Sequence, residues 1–585
     1  MITLVMWLSF LQLDQIDSKN QIQIQKLFSE YLRKDVDLQP LLGTRLGDHR
    51  HSGKIESLST VALANLKKFH HDILAQLEDF KKSGFNLSLS DRIDLETWIN
   101  HEKRWLWVTD NLQPMHTDPR VYNEYVSDST FLLITQTTLP RQVVWNSVLQ
   151  RAREVPRVLR EAKENLLSPA KPKPSRVMVE TAIRQNFGSM AWYRQGLIAQ
   201  VGDFGPQDVL KKACNDAVSA IEDYQQFLTE KLLPISTGDW RIGREKFDQK
   251  LKLDLESPLD ADQVLNLANK EFGRVISEMT VLAKQLWPVL NPDHPEIPKN
   301  VSSNELIQQV IGALSKDKVP VAELVDEAKK ASVDLKAFIR QKAILDLPDP
   351  DRCDIVEMPE FQRGNSVAYL NNAPPLDREA RSIYAISPPP ADWDARRVNT
   401  FLEEYNRRMM RILTLHEAYP GHYVQLEYAN RNPSLIRKVL SSGVFIEGWA
   451  VHMEQVLLDE GFGRNDTGLK LLQLKWYLRA IGNALLDQGM HCKGWSDQTA
   501  LKFLVDECFQ SEAEAVGKII RAKQSSCQLS TYFVGRMAFQ ELRENTQKRL
   551  GVRFDLRRYH HALLELGSVP VKHLPELIKV KFPSD

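Results

Sequence analysis

Apolar residues recur at three- and four-residue intervals through most of this 585-residue chain, and that period commits it to a mainly α fold. The pattern runs from about residue 21 to 233, with Ala213–Leu232 a clear amphipathic stretch. It resumes over Ser257–Lys342, where Asp260–Trp287 is a long example, and returns from Ala395 to the end. Between Asp346 and Trp393 the texture changes: prolines cluster, and three short runs read as strands, namely Asp354–Met358, Ser366–Asn371 and Arg381–Ser387. No segment repeats at a fixed period, which excludes a solenoid. The length exceeds what one compact core uses, so two or more lobes, or one large fold with a deep groove, are expected. The expectation is an N-terminal helical lobe over 21–240 and a second lobe over 241–585, with a small β patch near residues 354–387.

Charge and cysteine usage narrow the function classes. Lys+Arg and Asp+Glu both number 76, so the chain carries no net electrostatic footprint for nucleic acid or an anionic membrane. The five cysteines, Cys214, Cys353, Cys492, Cys508 and Cys527, lack CxxC spacing, which argues against a disulfide framework and a thiolate zinc site. Any metal would therefore be held by histidine and carboxylate. Met1–Leu13 is apolar and uncharged, too short for a bilayer span of roughly 20 residues, and lacks a basic n-region and a small-residue cleavage site. Residues 1–20 therefore read as a signal-like leader or a buried N-terminal helix, which leaves a cytoplasmic and an exported protein both open. No later segment is apolar enough to cross a membrane.

The chemistry concentrates just after the strand patch. A strong helix precedes His416 and Glu417, and a second histidine follows at His422. Zinc hydrolases commonly place two histidines at i and i+4 on one helix face, with a glutamate at i+1 as general base. Here the separation is six residues, which on a straight helix turns the second imidazole about 120° away from the first. Pro420 and Gly421 lie between them: proline removes a helical hydrogen bond, and glycine tolerates angles that other residues resist. A break there would bring His422 round to His416. A third ligand is then required, and Glu447, 25 residues after His422 and beside Gly448, is the best placed. His452 and Glu454 follow closely, and either would suit the role of orienting a ligand histidine. The competing reading is a kinked structural helix whose polar groups bond only each other.

These strings resemble the bacterial DUF885 proteins, related to the gluzincin metallopeptidases. His416–His422 matches their HEAxPGH and Glu447–Ala450 their EGWA. Leu42–Ser59, Gly238–Phe247 and Asp487–Trp495 are similar to further family strings, so the resemblance runs from about residue 22 to about 575. It departs at Arg521–Gly535, where Ser525-Ser526-Cys527 stand in place of a Pro-Gly turn while Arg521, Gln528, Tyr532 and Gly535 match.

The resemblance implies one zinc ion held by His416, His422 and Glu447, with Glu417 as general base, in a two-lobed helical fold around a deep channel. The function expected is a metallopeptidase of the carboxypeptidase or dipeptidase type acting on short peptides. Hydrolysis of another amide or ester, or an idle binding protein of the same fold, are the alternatives. A donor for the developing oxyanion is needed besides metal, and Tyr532 and then His491 are the candidates. Arg521, Arg536 and Arg543 could each hold a substrate carboxylate. Tyr369 and Asn371 on the strand patch could contact a substrate backbone, since a strand edge accepts an extended peptide.

Overall fold

The computed structural model describes residues 23–83, 87–358 and 367–583. The apolar Met1–Leu13 stretch and the first residue of the expected second strand, Ser366, lie outside them. The described chain is dominated by helices and carries one small sheet, as the helical period and the single β patch require. None of its helices is long and apolar enough to cross a membrane. All five cysteines are free thiols.

The chain divides into two compact units. The first comprises the described residues up to Trp240 together with Pro374–Ala380 and Asn430–Leu440. It is built from helices such as Thr60–Lys82, Leu89–Asn111, Arg141–Leu166 and Gln207–Gln226. Ser59 and Ser88 start the first two of these by accepting from the amides of Ala62 and Asp91, which satisfies donors that a helix start leaves open. One core gathers Phe28, Tyr31, Trp98 and Ile436, with Phe28 edge-on to Trp98 at 4.9 Å between ring centroids. Ile436 comes from far along the sequence, and a buried ion pair fixes its segment: Arg437 Nε donates to Asp94 Oδ1 at 2.6 Å, and Ser434 Oγ donates to Asp94 Oδ2 at 2.6 Å.

The second unit comprises Arg241–Ala373, Arg381–Ala429 and Ser441–Asp585. Its sheet has three strands, β1 (Cys353–Glu357), β2 (Ala368–Asn371) and β3 (Ser382–Ile386), in the order β1-β3-β2. β1 runs parallel to β3 with Ile355 opposite Tyr384, and β2 runs antiparallel with Leu370 opposite Tyr384. Seven helices matter for the site: α1 (Ala261–Leu290), α2 (Arg407–Glu417), α3 (His422–Arg431), α4 (Gly443–Asp459), α5 (Thr467–Cys492), α6 (Glu512–Gln524) and α7 (Thr531–Leu550). α4 packs along α7, α5 along α1, and α2 touches both α4 and α5. α5 is buried on every face over most of its length, which is why its sequence lacks a polar stripe.

Asp94→Ala should strip the counter-ion from a buried guanidinium and destabilise the first unit by about 3–5 kcal/mol. Urea unfolding checks this, and a midpoint equal to the parent's would show that Arg437 does not depend on the pair.

Candidate metal centre

α2 begins on Asn406, whose side chain accepts from the amides of Arg408 and Met409. Its buried face carries Met410, Leu413 and Thr414, and it ends at His416 and Glu417. The ladder then stops. The amides of Ala418 and Tyr419 both reach the carbonyl of Thr414, the peptide before Pro420 is cis, and α3 starts afresh at His422. Gly421 is required for space and not, as the sequence suggests, for unusual backbone angles. Its φ is not positive, but a Cβ there would stand 1.8 Å from the carbonyl oxygen of His416. The result is a turn tight enough to return His422 to His416, with ring centroids 4.7 Å apart and planes at 84°.

Two clamps hold the turn. Trp449 Nε1 donates to the Pro420 carbonyl at 2.8 Å from a fully buried indole. Tyr419 donates its hydroxyl to Asp351 at 2.7 and 2.9 Å, and Lys336 lies over the Tyr419 ring at 4.7 Å.

α4 supplies the carboxylates. Ser442 caps it by accepting from the Phe445 amide, and Glu447 sits in its second turn. Glu447 Oε2 lies 3.9 Å from His416 Nε2 and 3.5 Å from His422 Nε2. Seven residues on, nearly two full turns and so on the same face, Glu454 Oε1 meets His416 Nδ1 at 2.8 Å. Gln473 Nε2 donates to the other oxygen of Glu454 at 3.4 Å. His452 is the one of the pair that does not take this role. It is buried against Phe539, the rings stacked at 5.8 Å, and burial holds its pKa well below the ordinary imidazole value.

The donor set fits a divalent cation. Bonds of about 2.0–2.2 Å at tetrahedral angles put ligand atoms roughly 3.3–3.5 Å apart, close to the separations of Glu447 Oε2 from the two Nε2 atoms. One coordinating atom from each of His416, His422 and Glu447 lies within 4.8 Å of the others, and this is the one such trio found among the described residues. Glu447 Oε2 is buried with no hydrogen-bond partner among them, a costly arrangement unless something else satisfies it. The Glu454 contact engages the Nδ1–H of His416 and leaves Nε2 free to coordinate. Burial alone would lower the His416 pKa, but the Glu454 hydrogen bond and the charges of Glu454, Glu417 and Glu447 overcome it and raise it to about 9. Burial pushes Glu447 up, and the two histidines and Tyr532 outweigh it, so its carboxyl sits below the usual range.

The remaining predicted residues separate into those gathered here and those committed elsewhere. Glu417 is half-buried, and its charge acts on both His416 and the Tyr384 phenol. Tyr532, the second residue of α7, lies beside Glu447; burial and that negative charge raise its pKa, so the phenol keeps its proton. Arg521 donates to Tyr532 Oη at 3.2 Å and to Gln528 Oε1 at 3.0 Å. Arg536 instead pairs with Glu271 at 3.3 Å and lies 4.2 Å over the Tyr477 ring, and Arg543 pairs with Glu460 at 3.2 Å. Arg536, though four residues after Tyr532 on α7, is thus already matched by an acid.

His491 is likewise engaged by other groups. It is buried, with Nε2 at 2.9 and 2.8 Å from the carbonyls of Ala522 and Ser525, so it holds the loop before α7. Asp487 completes that hold, accepting from the Cys527 amide at 3.2 Å and from Ser530 Oγ at 3.1 Å. The Ser525-Ser526-Cys527 departure from the family pattern keeps a sharp turn nonetheless, with Cys527 itself at a φ of 67°. Tyr369 and Asn371 share one face of β2, both half-buried. Sequence reasoning missed Trp476, whose ring is edge-on to His416 at 6.4 Å; on the largely buried α5 the apolar pattern does not single it out.

The family model for a bacterial protein of unknown function, DUF885, matches residues 40–578. The chain belongs to the DUF885 family. A solved structure described as "a putative lipoprotein of unknown function from Shewanella oneidensis" is 29% identical, with a TM-score of 0.78 over 95% of this chain and 99% of that one. A second, "the putative lipoprotein from Colwellia psychrerythraea", shares the fold at 18% identity, with a TM-score of 0.76 over 96% of this chain and 99% of that one. No curated protein matches this DUF885 chain.

A close crossing of α4 and α7 brings Glu447 and Tyr532 together. A Cβ on Gly448 would stand 2.4 Å from the Gly535 backbone, and one on Gly535 would stand 2.1 Å from the Val444 carbonyl. Gly535→Ala should therefore force the helices apart and cost about 1–3 kcal/mol. Gly517→Ala, on an exposed stretch of α6 with open space around it, should stabilise by roughly 0.5–1 kcal/mol. Thermal melts of the two variants should shift in opposite directions; a shift of the same sign would refute the crossing argument.

Proposed function

We propose that this DUF885 protein is a zinc-dependent hydrolase that cleaves peptide bonds in short peptides. The observation that carries the reading is the convergence of His416, His422 and an unpartnered Glu447 oxygen, with the Glu417 carboxylate beside them. His416, His422 and Glu447 would hold the ion with three protein donors, the number typical of a catalytic rather than a structural zinc site.

Zinc at this position would supply the Lewis acidity that makes water a nucleophile near neutral pH and polarises a carbonyl. Glu417, whose carboxylate has no hydrogen bond among the described residues, is the group left to accept a proton from the attacking water and return it to the leaving amine. The Tyr532 phenol, protonated and next to Glu447, can donate to the carbonyl oxygen as that atom gains negative charge. Arg521 donates to the same phenolic oxygen and so strengthens it as a donor. Glu454 fixes the tautomer and angle of His416.

A peptide, rather than an arbitrary ester, is favoured by the sheet. The central strand β3 is tied to α2 by Tyr384 Oη and Thr414 Oγ1 at 3.3 Å, two residues before His416. β2 flanks β3 and offers Tyr369 and Asn371 on one face. An extended peptide laid along such an edge would form main-chain hydrogen bonds that a compact ester cannot.

Three variants test the reading. Glu417→Gln should keep about one equivalent of zinc while kcat falls by roughly 10²–10⁴-fold or more. Glu447→Ala should lose the metal. Glu454→Ala should weaken zinc binding about 10–100-fold, read by competition with a chromogenic chelator. Full peptide hydrolysis by Glu417→Gln, or by chelator-stripped protein, would exclude the mechanism.

A further inference from the structure

Four arginines surround this region, and three of them already have an acid. Arg479 lies 3.1 Å from Glu514 and stacks on Trp476 at 4.4 Å, Arg536 pairs with Glu271, and Arg543 pairs with Glu460. Arg521 differs. It is exposed, and the partners it is given, Gln528 Oε1 and Tyr532 Oη, are both neutral. No carboxylate lies within ion-pair distance of it among the described residues.

One turn earlier on α6, Lys518 is in the same position. It is half-buried and forms no ion pair among the described residues. Burial and the charges of Arg479 and Arg521 push its pKa down to about 7. Residues three apart on a helix are neighbours on its surface, so α6 presents two basic groups with no carboxylate at ion-pair distance among the described residues, Glu514 acting on Lys518 only from further off. Such a pair is stabilised by an incoming anion. The guanidinium also has the planar donor geometry that grips a carboxylate through two parallel bonds.

Its placement sets where on a substrate that carboxylate must be. Arg521 touches Tyr532, and Tyr532 is next to the metal-facing Glu447. One residue of peptide advances the chain by about 3.8 Å, so a cation two contacts from the metal-facing carboxylate reaches the first residue beyond the cleaved bond and little further. We propose that Arg521 and Lys518 form a subsite for the free α-carboxylate of the residue following the scissile bond, so that the enzyme removes single C-terminal residues. This rests on the metallopeptidase reading above. Gln528 acts as a positioning residue, since its Oε1 fixes the guanidinium that its neighbour Tyr532 also engages.

The test uses full-length, zinc-loaded protein and a matched pair of probes: an N-acyl dipeptide with a free C-terminal acid, and its C-terminal amide. The acid should be cleaved with a kcat/KM at least 100-fold above the amide. Arg521→Gln should remove that preference, the loss falling on KM for the acid rather than on kcat, and Arg521→Lys should restore part of it. In the turnover-deficient Glu417→Gln background, the acid should bind at least 10-fold tighter than the amide, and Arg521→Gln should abolish the difference. Equal cleavage of acid and amide by the parent would overturn the subsite and leave the hydrolase standing. Cleavage of neither probe, together with equal binding of both, would overturn the subsite and the peptidase reading alike.

Discussion

The interrupted helix between His416 and His422 is the constraint on which the site depends. A continuous helix would hold both imidazoles on one rod but aim them at different neighbours. Breaking the rod at Pro420 frees the second histidine and also frees carbonyls that a helix would have satisfied. Trp449 answers one of these by donating to the Pro420 carbonyl. Because Trp449 stands two residues after Glu447, the helix that carries the carboxylate also braces the turn that aims the histidines. The carboxylate and the brace for the turn thus come from one short stretch, Glu447-Gly448-Trp449, each residue with a different physical task.

A second layer of organisation surrounds this. Glu454 fixes His416, while Asp487 and His491 fix the loop that joins the helix of Arg521 to that of Tyr532. Several of these groups are buried and charged or polar, and burial alone would work against them. For His416 the acidic neighbours win, and its pKa rises to about 9. For Asp487 burial wins over its two hydrogen bonds and the nearby Lys250, and its pKa rises to about 7. A carboxyl raised in this way is neutral over most of the acidic range, where it can accept from Cys527 and Ser530 without the full penalty of a buried charge.

Much of this was legible in the sequence, for identifiable reasons. Helical period and proline clustering are local signals, so the mainly α character and the three strands emerged to within about a residue where the chain is described. The need for a break between His416 and His422 followed from helix geometry alone. The role of Gly421 did not: the sequence suggested unusual backbone angles, and the actual requirement is clearance from the His416 carbonyl. The choice between His452 and Glu454 was likewise invisible, because it depends on which α4 face meets α2. Arg536 and Arg543 could not be told from Arg521 either. Their acids, Glu271 and Glu460, lie 265 and 83 residues away along the chain, and only tertiary packing reveals that those charges are already matched.

The crossing of α4 and α7 has a consequence for how this protein can change. At most helix contacts a larger side chain on one partner can be offset by a smaller one on the other. Gly448 and Gly535 already face each other with no side chains left to trim. A methyl added at either position can be absorbed only by moving a helix axis, and one helix carries Glu447 while the other carries Tyr532. The contact therefore acts as a fixed pivot: the surfaces around it are open to redesign, but the spacing between the Glu447 carboxylate and the Tyr532 phenol is not an adjustable dimension of the fold.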